Sequence, residues 1–219
     1  NLPGSFTVNG NSKAIFPNLM PGGSRTVTEG ALPSHWDFTS LTCGLTVLGD
    51  GTTSSYTSGP TATITNLGAG DTLTCTYTNT KRGEIRIIKG AVGGEGTDTF
   101  NFTSTGGLPS PAVGGNFSLT PPKGGTASVT FSDLTPGKYS VTEDTSRFGT
   151  GLTDWKLASV VCSATGSGSS GAQDGTDPRA NIDVGPGGSV TCTFTNVRGS
   201  NYVTDTMFCA LPNDQFRLI

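Results

Sequence analysis

Apolar and polar residues alternate along most of this chain, in short runs broken about every 8–12 residues by Gly, Pro, Asn or Asp. The alternation is clearest at Ile85 and Ile87, Phe100 and Phe102, Phe117 and Leu119, Tyr139 and Val141, and Val190, Cys192 and Phe194. A period of two puts each set on one face of a strand, and that face turns to the core. No stretch carries a convincing helical period. The pattern therefore predicts an all-β sandwich. From residue 83 onward it predicts strands over 84–91, 98–103, 115–119, 126–131, 138–143, 155–163, 180–184 and 188–196. The polar, low-complexity stretch 163–180 reads as a mobile loop.

The pattern is also duplicated. CTYTNTKRG begins at Cys75 and CTFTNVRG at Cys192. TVTE ends at Glu29 and SVTE at Glu143, while Trp36 and Trp155 each stand seven residues before a cysteine, Cys43 and Cys162. A near-constant offset with small insertions is the mark of a tandem duplication. Two sandwiches of ordinary single-core size follow, over residues 1–82 and 83–199, with 200–219 as a separate tail.

Composition agrees, with 33 Gly, 13 Pro and only 13% charged residues. A net charge of −3 without any Lys/Arg run argues against nucleic acid and anionic membrane as partners. No apolar run reaches the roughly 20 residues that span a bilayer. No leader is seen, so a secreted chain would be the mature form. The single histidine, His35, leaves little room for His-based catalysis or His-rich metal sites. No metal site and no cofactor are expected.

Cys43 and Cys75 in the first copy match Cys162 and Cys192 in the second, which points to one disulfide per copy and an oxidising compartment. The alternative is four buried free thiols. Trp36 and Trp155 read as core residues beside those pairs, or as sugar-stacking platforms. Asp174 and Asp177 read as solvated loop acids, or as calcium ligands. The sequons at Asn101 and Asn116 matter only where the host glycosylates.

Three polar residues interrupt the inward rows. Lys89 follows Ile85 and Ile87, Glu143 follows Tyr139 and Val141, and Asn196 follows Cys192 and Phe194. An isolated buried charge is costly, and a mutually satisfying cluster is less so. Burial lowers the pKa of a lysine and raises that of a carboxyl. A neutral lysine amine can then attack the Asn amide while a protonated Glu polarises its carbonyl and moves the proton, giving an isopeptide bond and ammonia. The alternative is a plain Lys89–Glu143 salt bridge.

LTPGKYSVTE followed by a last strand ending in TFTN resembles the collagen-adhesin B-type, prealbumin-like domains of Gram-positive pilins and surface adhesins. The resemblance covers 83–199 well and 5–82 in part. It implies a Lys89–Asn196 isopeptide bond, with Glu143 as the acid/base. The cysteine pair and the Trp ahead of it depart from the better-known pilin members and look more like large repetitive secreted proteins with this fold. No LPxTG motif supports sortase anchoring.

The first copy starts late. NLPGSFTV corresponds to the region GGNFSL at 114–119, so the first two strands are missing, and with them any lysine partner for Glu29 and Asn79. Arg25 replaces the inward Tyr139, with an extra Gly at Gly22–Gly23. The first copy is expected to have open edges, a gap in its core and no isopeptide bond. The tail shows the reverse, with Tyr202–Cys209 reading as a first strand and Asp214–Ile219 as a second. A solvated tail is the alternative.

These features lead to the expectation of a non-enzymatic structural subunit of an extracellular or cell-surface filament. Copies join head to tail, with Val203, Met207, Cys209, Phe216 and Leu218 buried at the junction. A surface adhesin binding a glycan or host protein through the 44–60 or 163–180 loops is the second reading, with Tyr56 the one aromatic there.

Overall fold

The computed structural model describes residues 2–47, 59–109, 111–149 and 154–198, and the strand backbones 209–211 and 215–217. The chain forms two compact units, Asn1–Lys81 and Arg82–Ile219. The boundary lies between Lys81 and Arg82, and the second unit takes in the 200–219 segment that the sequence sets apart.

Unit one contains β1 (Ser24–Thr28), β2 (Trp36–Thr46), β3 (Thr61–Thr65) and β4 (Thr72–Lys81). Unit two contains β5 (Gly83–Val92), β6 (Phe100–Thr105), β7 (Asn116–Leu119), β8 (Thr126–Leu134), β9 (Gly137–Glu143), β10 (Trp155–Thr165), β11 (Ser170–Gln173), β12 (Arg179–Val184) and β13 (Ser189–Arg198). A single 3-10 turn over Thr145–Arg147 is the one helical element among the described residues. Two short strands, β14 (Cys209–Leu211) and β15 (Gln215–Arg217), lie in the tail.

Unit two is a sandwich of a four-stranded sheet, β10-β13-β5-β8, and a five-stranded sheet, β11-β12-β9-β6-β7. Pairing is antiparallel except between β5 and β13, which run parallel. The alternation read in the sequence is borne out. Ile85, Ile87, Phe131, Val190, Cys192 and Phe194 of one sheet meet Phe100, Phe102, Val141, Ala180 and Ile182 of the other, all at most 2% exposed. Phe102 stacks on Phe117 at 5.0 Å and meets Phe194 edge-on at 5.3 Å. Burying each such ring stabilises the fold by about 1.5–3 kcal/mol.

The stretch 163–180 is not a loop throughout. β10 runs on to Thr165, and β11 pairs with β12 from Ser170↔Asp183 to Gln173↔Ala180. β11 forms the sheet edge and half-buries only two of its four positions, so it carries no apolar row for a pattern search to find. Gly171 lets it close on the core, because a Cβ there would stand 2.8 Å from Cys162 Cβ and 2.9 Å from Val190 Cγ1.

Unit one keeps half of this plan, as two separate two-stranded sheets, β1-β3 and β2-β4. The registers repeat those of unit two. Val27 pairs with Ala62 as Val141 pairs with Ala180. The β2–β4 bulge between Phe38 and Ser40 matches the β10–β13 bulge between Leu157 and Ser159. Even the turn before β1 repeats: Asn18 holds φ 57°, as Asp133 holds φ 59°.

The missing strands account for the rest. In unit two β5 lies against β13, and β6 against β9. In unit one the corresponding edges of β4 and β1 have no neighbour among the described residues. The segment matching β7 forms no strand, since β7 pairs with β6 alone. Its aromatic contact survives nonetheless. Phe6 meets Phe16 at 4.9 Å and 68°, as Phe117 meets Phe131 at 5.2 Å and 66°. Trp155 is 2% exposed and packs edge-on against Phe100 of β6, whereas Trp36, with no such strand beside it, is 40% exposed.

In the tail, β14 and β15 pair antiparallel with one another, from Cys209↔Arg217 to Leu211↔Gln215. Their counterparts β5 and β6 lie in different sheets. Val203, Met207 and Leu218 lie outside the described residues, as does Tyr56, and Cys209 and Phe216 are described as backbone only.

Candidate functional site

Lys89, Glu143 and Asn196 are brought together in the interior of unit two. Lys89 is the fourth inward residue of β5, after Gly83, Ile85 and Ile87, Asn196 the fourth of β13, and Glu143 the last of β9 on the facing sheet. The parallel register sets Lys89 beside Phe194, so Lys89 and Asn196 are diagonal neighbours on one face. All three are at most 1% exposed.

One carboxylate oxygen joins them. Glu143 Oε1 lies 3.4 Å from Lys89 Nζ and accepts from Asn196 Nδ2 at 2.6 Å. Lys89 Nζ also donates to the carbonyls of Gly90 at 3.0 Å and Phe194 at 3.4 Å, and sits 4.4 Å above the Phe100 ring. Burial lowers the Lys89 pKa to about 8, an effect the Glu143 charge only partly offsets. Burial likewise raises the Glu143 pKa above the usual carboxylate range against the pull of Lys89 and Asn196. Both shifts favour a neutral amine beside a protonated acid.

Two buried oxygens, Glu143 Oε2 and Asn196 Oδ1, have no hydrogen-bond partner among the described residues. Such atoms are costly to leave unsatisfied. A half-turn of the Asn196 amide brings Oδ1 onto Glu143, where a carboxylic O–H donates to it. That polarises Cγ for attack by the Lys89 amine held on the same carboxyl. The arrangement is suited to one acyl transfer within the chain, from amide to isopeptide.

Unit one holds two members of the same set. Asn79 Nδ2 donates to Glu29 Oε1 at 2.6 Å, and Glu29 Oε2 and Asn79 Oδ1 are again without partners among the described residues. The glutamate backbone is pinned alike in both units, by Glu29 N–H to the Pro60 carbonyl at 2.7 Å and Glu143 N–H to the Pro178 carbonyl at 2.8 Å. No strand bearing a lysine lies beside β4 among the described residues.

Both disulfides are formed, Cys43–Cys75 and Cys162–Cys192, each directly across a strand pair with Cα atoms 4.1 Å apart. Asp174 and Asp177 face Arg179, which forms an ion pair with each. No cluster of metal-ligating side chains occurs among the described residues.

Two roles escaped the sequence reading. Tyr139 donates through its hydroxyl to the Thr135 carbonyl at 2.7 Å. Arg25, which stands in its place, donates to the carbonyls of Met20, the match of Thr135, and of Gly22. Arg25 thus ties the same turn rather than leaving a defect. Tyr77, in place of Phe194, donates to the Val27 carbonyl at 2.7 Å and accepts from Ala62 N–H at 3.3 Å, linking β4 to the β1-β3 sheet. The signal for each was the same: a polar group substituted at a matched position of the duplication.

The prealbumin-like fold domain family matches residues 4–81 and 85–198, and the chain belongs to that family. No curated protein matches. Among solved structures, a bacterial adhesin from Mobiluncus mulieris containing intramolecular disulfide, isopeptide and ester bond cross-links is similar, with 15% identity and a TM-score of 0.37. The match covers 56% of this chain and 44% of the adhesin chain.

Proposed function

We propose that this chain is a structural segment of an extracellular, cell-surface fibre, in which covalently stapled sandwiches are joined by β-strand complementation. The observation that carries the reading is the state of unit one: among the described residues, both its sheets stop at the edges where β5 and β6 continue those of unit two. Open edges invite pairing. The donor is the 200–219 segment of a neighbouring copy, whose β14–β15 pair opens so that its strands enter different sheets. The geometry is the same whether that copy is a separate subunit or the preceding repeat of one polypeptide. A heterologous contact of this kind propagates rather than closes. Unit two is held by the Cys162–Cys192 disulfide and, in this reading, by a Lys89–Asn196 isopeptide bond formed with Glu143 as acid/base.

Negative-stain microscopy and light scattering on the full chain and on a chain ending at Arg198 test the assembly. Concentration-dependent linear oligomers that vanish on truncation are expected. Two monomeric samples would end the reading. The bond is read separately by intact mass, where the full chain should lack one ammonia and Glu143→Ala should regain it.

A further inference from the structure

The hairpin that joins β11 to β12 holds the chain's one Asp–Pro bond, Asp177–Pro178. Both sides of that bond are fixed. The Pro178 carbonyl accepts from the Glu143 N–H at 2.8 Å, and the Asp177 N–H donates to the Asp174 carbonyl at 3.0 Å. The carbonyl of Asp177 itself accepts from Gln173 Nε2 at 3.0 Å. The Gln173 amide is held in that orientation, because its Oε1 accepts from the Val160 N–H on β10 at 3.3 Å. The Asp177 carboxylate, 64% exposed, stands 3.8 Å from the Arg179 guanidinium. Arg179 is anchored in turn on Asp174, whose pKa its hydrogen bond and charge hold below the usual range. Unit one makes the matching backbone contact without such a carboxylate. There the Glu29 N–H donates to the Pro60 carbonyl at 2.7 Å, and Pro60 follows Gly59. Asp177 is therefore no requirement of that contact.

We propose that Asp177–Pro178 is a self-cleavage site, where the Asp177 carboxylate displaces the proline nitrogen in mild acid. Asp177 is the nucleophile, Gln173 the donor to the developing oxyanion, and Arg179 a positioning residue. The charged groups around the bond are Asp174 and Arg179 on the hairpin, and Glu143 and Asp144 at the end of β9, which line a groove with Asp177 and Pro178. Cys162 and Cys192 lie on either side of the cut, as do Lys89 and Asn196. The disulfide and the proposed isopeptide bond therefore both bridge it, and β11 stays paired with β12. Cleavage gives a nicked sandwich, with residues 178–219 retained by those ties.

The step consumes one water and nothing else. A carboxylate oxygen of Asp177 attacks the carbonyl carbon of the same residue, closing a five-membered ring at near-attack distance. The carbonyl oxygen takes the charge against Gln173 Nε2. The C–N bond to Pro178 then breaks, and the proline nitrogen takes a proton from solvent and leaves as a secondary amine. The cyclic anhydride left at Asp177 is opened by water, which restores its side-chain carboxylate and adds a second at the new chain end.

The test incubates the full chain at pH ~4, near the ordinary carboxylate pKa, and at pH ~7, with a synthetic peptide of residues 170–184 in parallel. The expected result at the lower pH is a second amino terminus reading Pro-Arg-Ala, in a molecule that without reductant stays whole and is one water heavier. The Gly59–Pro60 bond should stay intact. The folded chain should cut at least ~100-fold faster than the peptide, the usual scale for one oxyanion donor. Gln173→Ala should lose that advantage, and Asp177→Ala should abolish cleavage. Hydroxylamine in the buffer should leave a hydroxamate at Asp177, which direct hydrolysis would not. Because the peptide arm leaves the protein unaltered, a misfolded variant cannot decide the result. Equal rates in chain and peptide would show ordinary Asp–Pro lability and overturn the site. An uncut chain at both pH values also overturns it.

Discussion

The two units share one design, and among the described residues unit one shows it without counterparts of β5 and β6. They share strand registers, a bulge, a cross-strand disulfide, a Glu–Asn contact and a left-handed residue in the same turn. They differ in two strands. With β5 and β6 in place, Trp155 is 2% exposed and Lys89 is sealed beside Glu143. Without them, Trp36 is 40% exposed and Phe6 42%. The comparison separates what local sequence sets from what needs a complete core. Turn geometry, register and the Glu–Asn pair form without the missing strands. Burial of the aromatic residues does not.

The largest separation between the units is expected at the glutamates. Glu143→Ala leaves Lys89 buried without its counter-charge, which costs about 3–5 kcal/mol, beyond any loss of the covalent bond. Glu29→Ala strands no lysine, and the cost there should stay below about 1 kcal/mol. Urea denaturation followed by hydrogen exchange, reporting β9 and β1 separately, measures both. Equal losses would show that lysine burial is not what distinguishes the units.

Reduction of the disulfides comes next. The linkages close separations of 32 and 30 residues, each stabilising by roughly 3–4 kcal/mol through the unfolded state. The same increment removed from unequal cores should have unequal outcomes. Amides of β2 and β4 should lose protection in reductant while those of β10 and β13 keep theirs. Loss of protection in both at one reductant concentration would place the stability of unit two in its disulfide rather than in its packing.

Most of this comparison was legible in the sequence. Period-two alternation placed nearly every strand of unit two, and the repeated Cys, Trp, Glu and Asn revealed the duplication. The inward rows ending in Lys89, Glu143 and Asn196 named the buried cluster, because a strand's period of two leaves only one face for each residue. β11 was hidden because an edge strand over polar residues needs no apolar row. Arg25 looked like a defect because sequence compares side-chain classes, whereas the turn requires only a donor within reach of a carbonyl.

Smaller, and dependent on the unreacted form, is a pH effect readable in Asn196→Ala, which has no amide to attack. Lys89 falls from 10.5 to about 8 on folding, so between those values the unfolded chain holds more protons and stability rises with pH. Glu143 moves the other way, up from 4.5. From 4.5 to its raised value the folded state holds more protons, and stability falls with pH. Unit two of this variant should therefore be least stable near neutrality and gain toward either side, by up to about 3 kcal/mol on the alkaline side. Thermal unfolding across pH reads this dip. A flat profile would mean that Lys89 and Glu143 titrate as they do in the unfolded chain.

The smallest effect tests the equivalence of Arg25 and Tyr139. Both donate to the carbonyl that closes the turn before the Glu-bearing strand, Arg25 to Met20 and Tyr139 to Thr135. If that donation is the shared requirement, Arg25→Tyr should leave unit one within about 0.5 kcal/mol of its starting stability. Arg25→Ala should cost about 0.5–1.5 kcal/mol, the net worth of a hydrogen bond. The longer Arg25 also donates to Gly22 at 2.7 Å, and Gly22 and Gly23 hold φ 74° and 71°. The extra glycine widens the turn, and the longer side chain spans it. Removing Gly23 together with Arg25→Tyr should then match or exceed Arg25→Tyr alone, since it restores the turn length that Tyr139 serves. If the double variant is the less stable of the two, the glycine and the arginine serve separate ends, and the turns are alike in outline only.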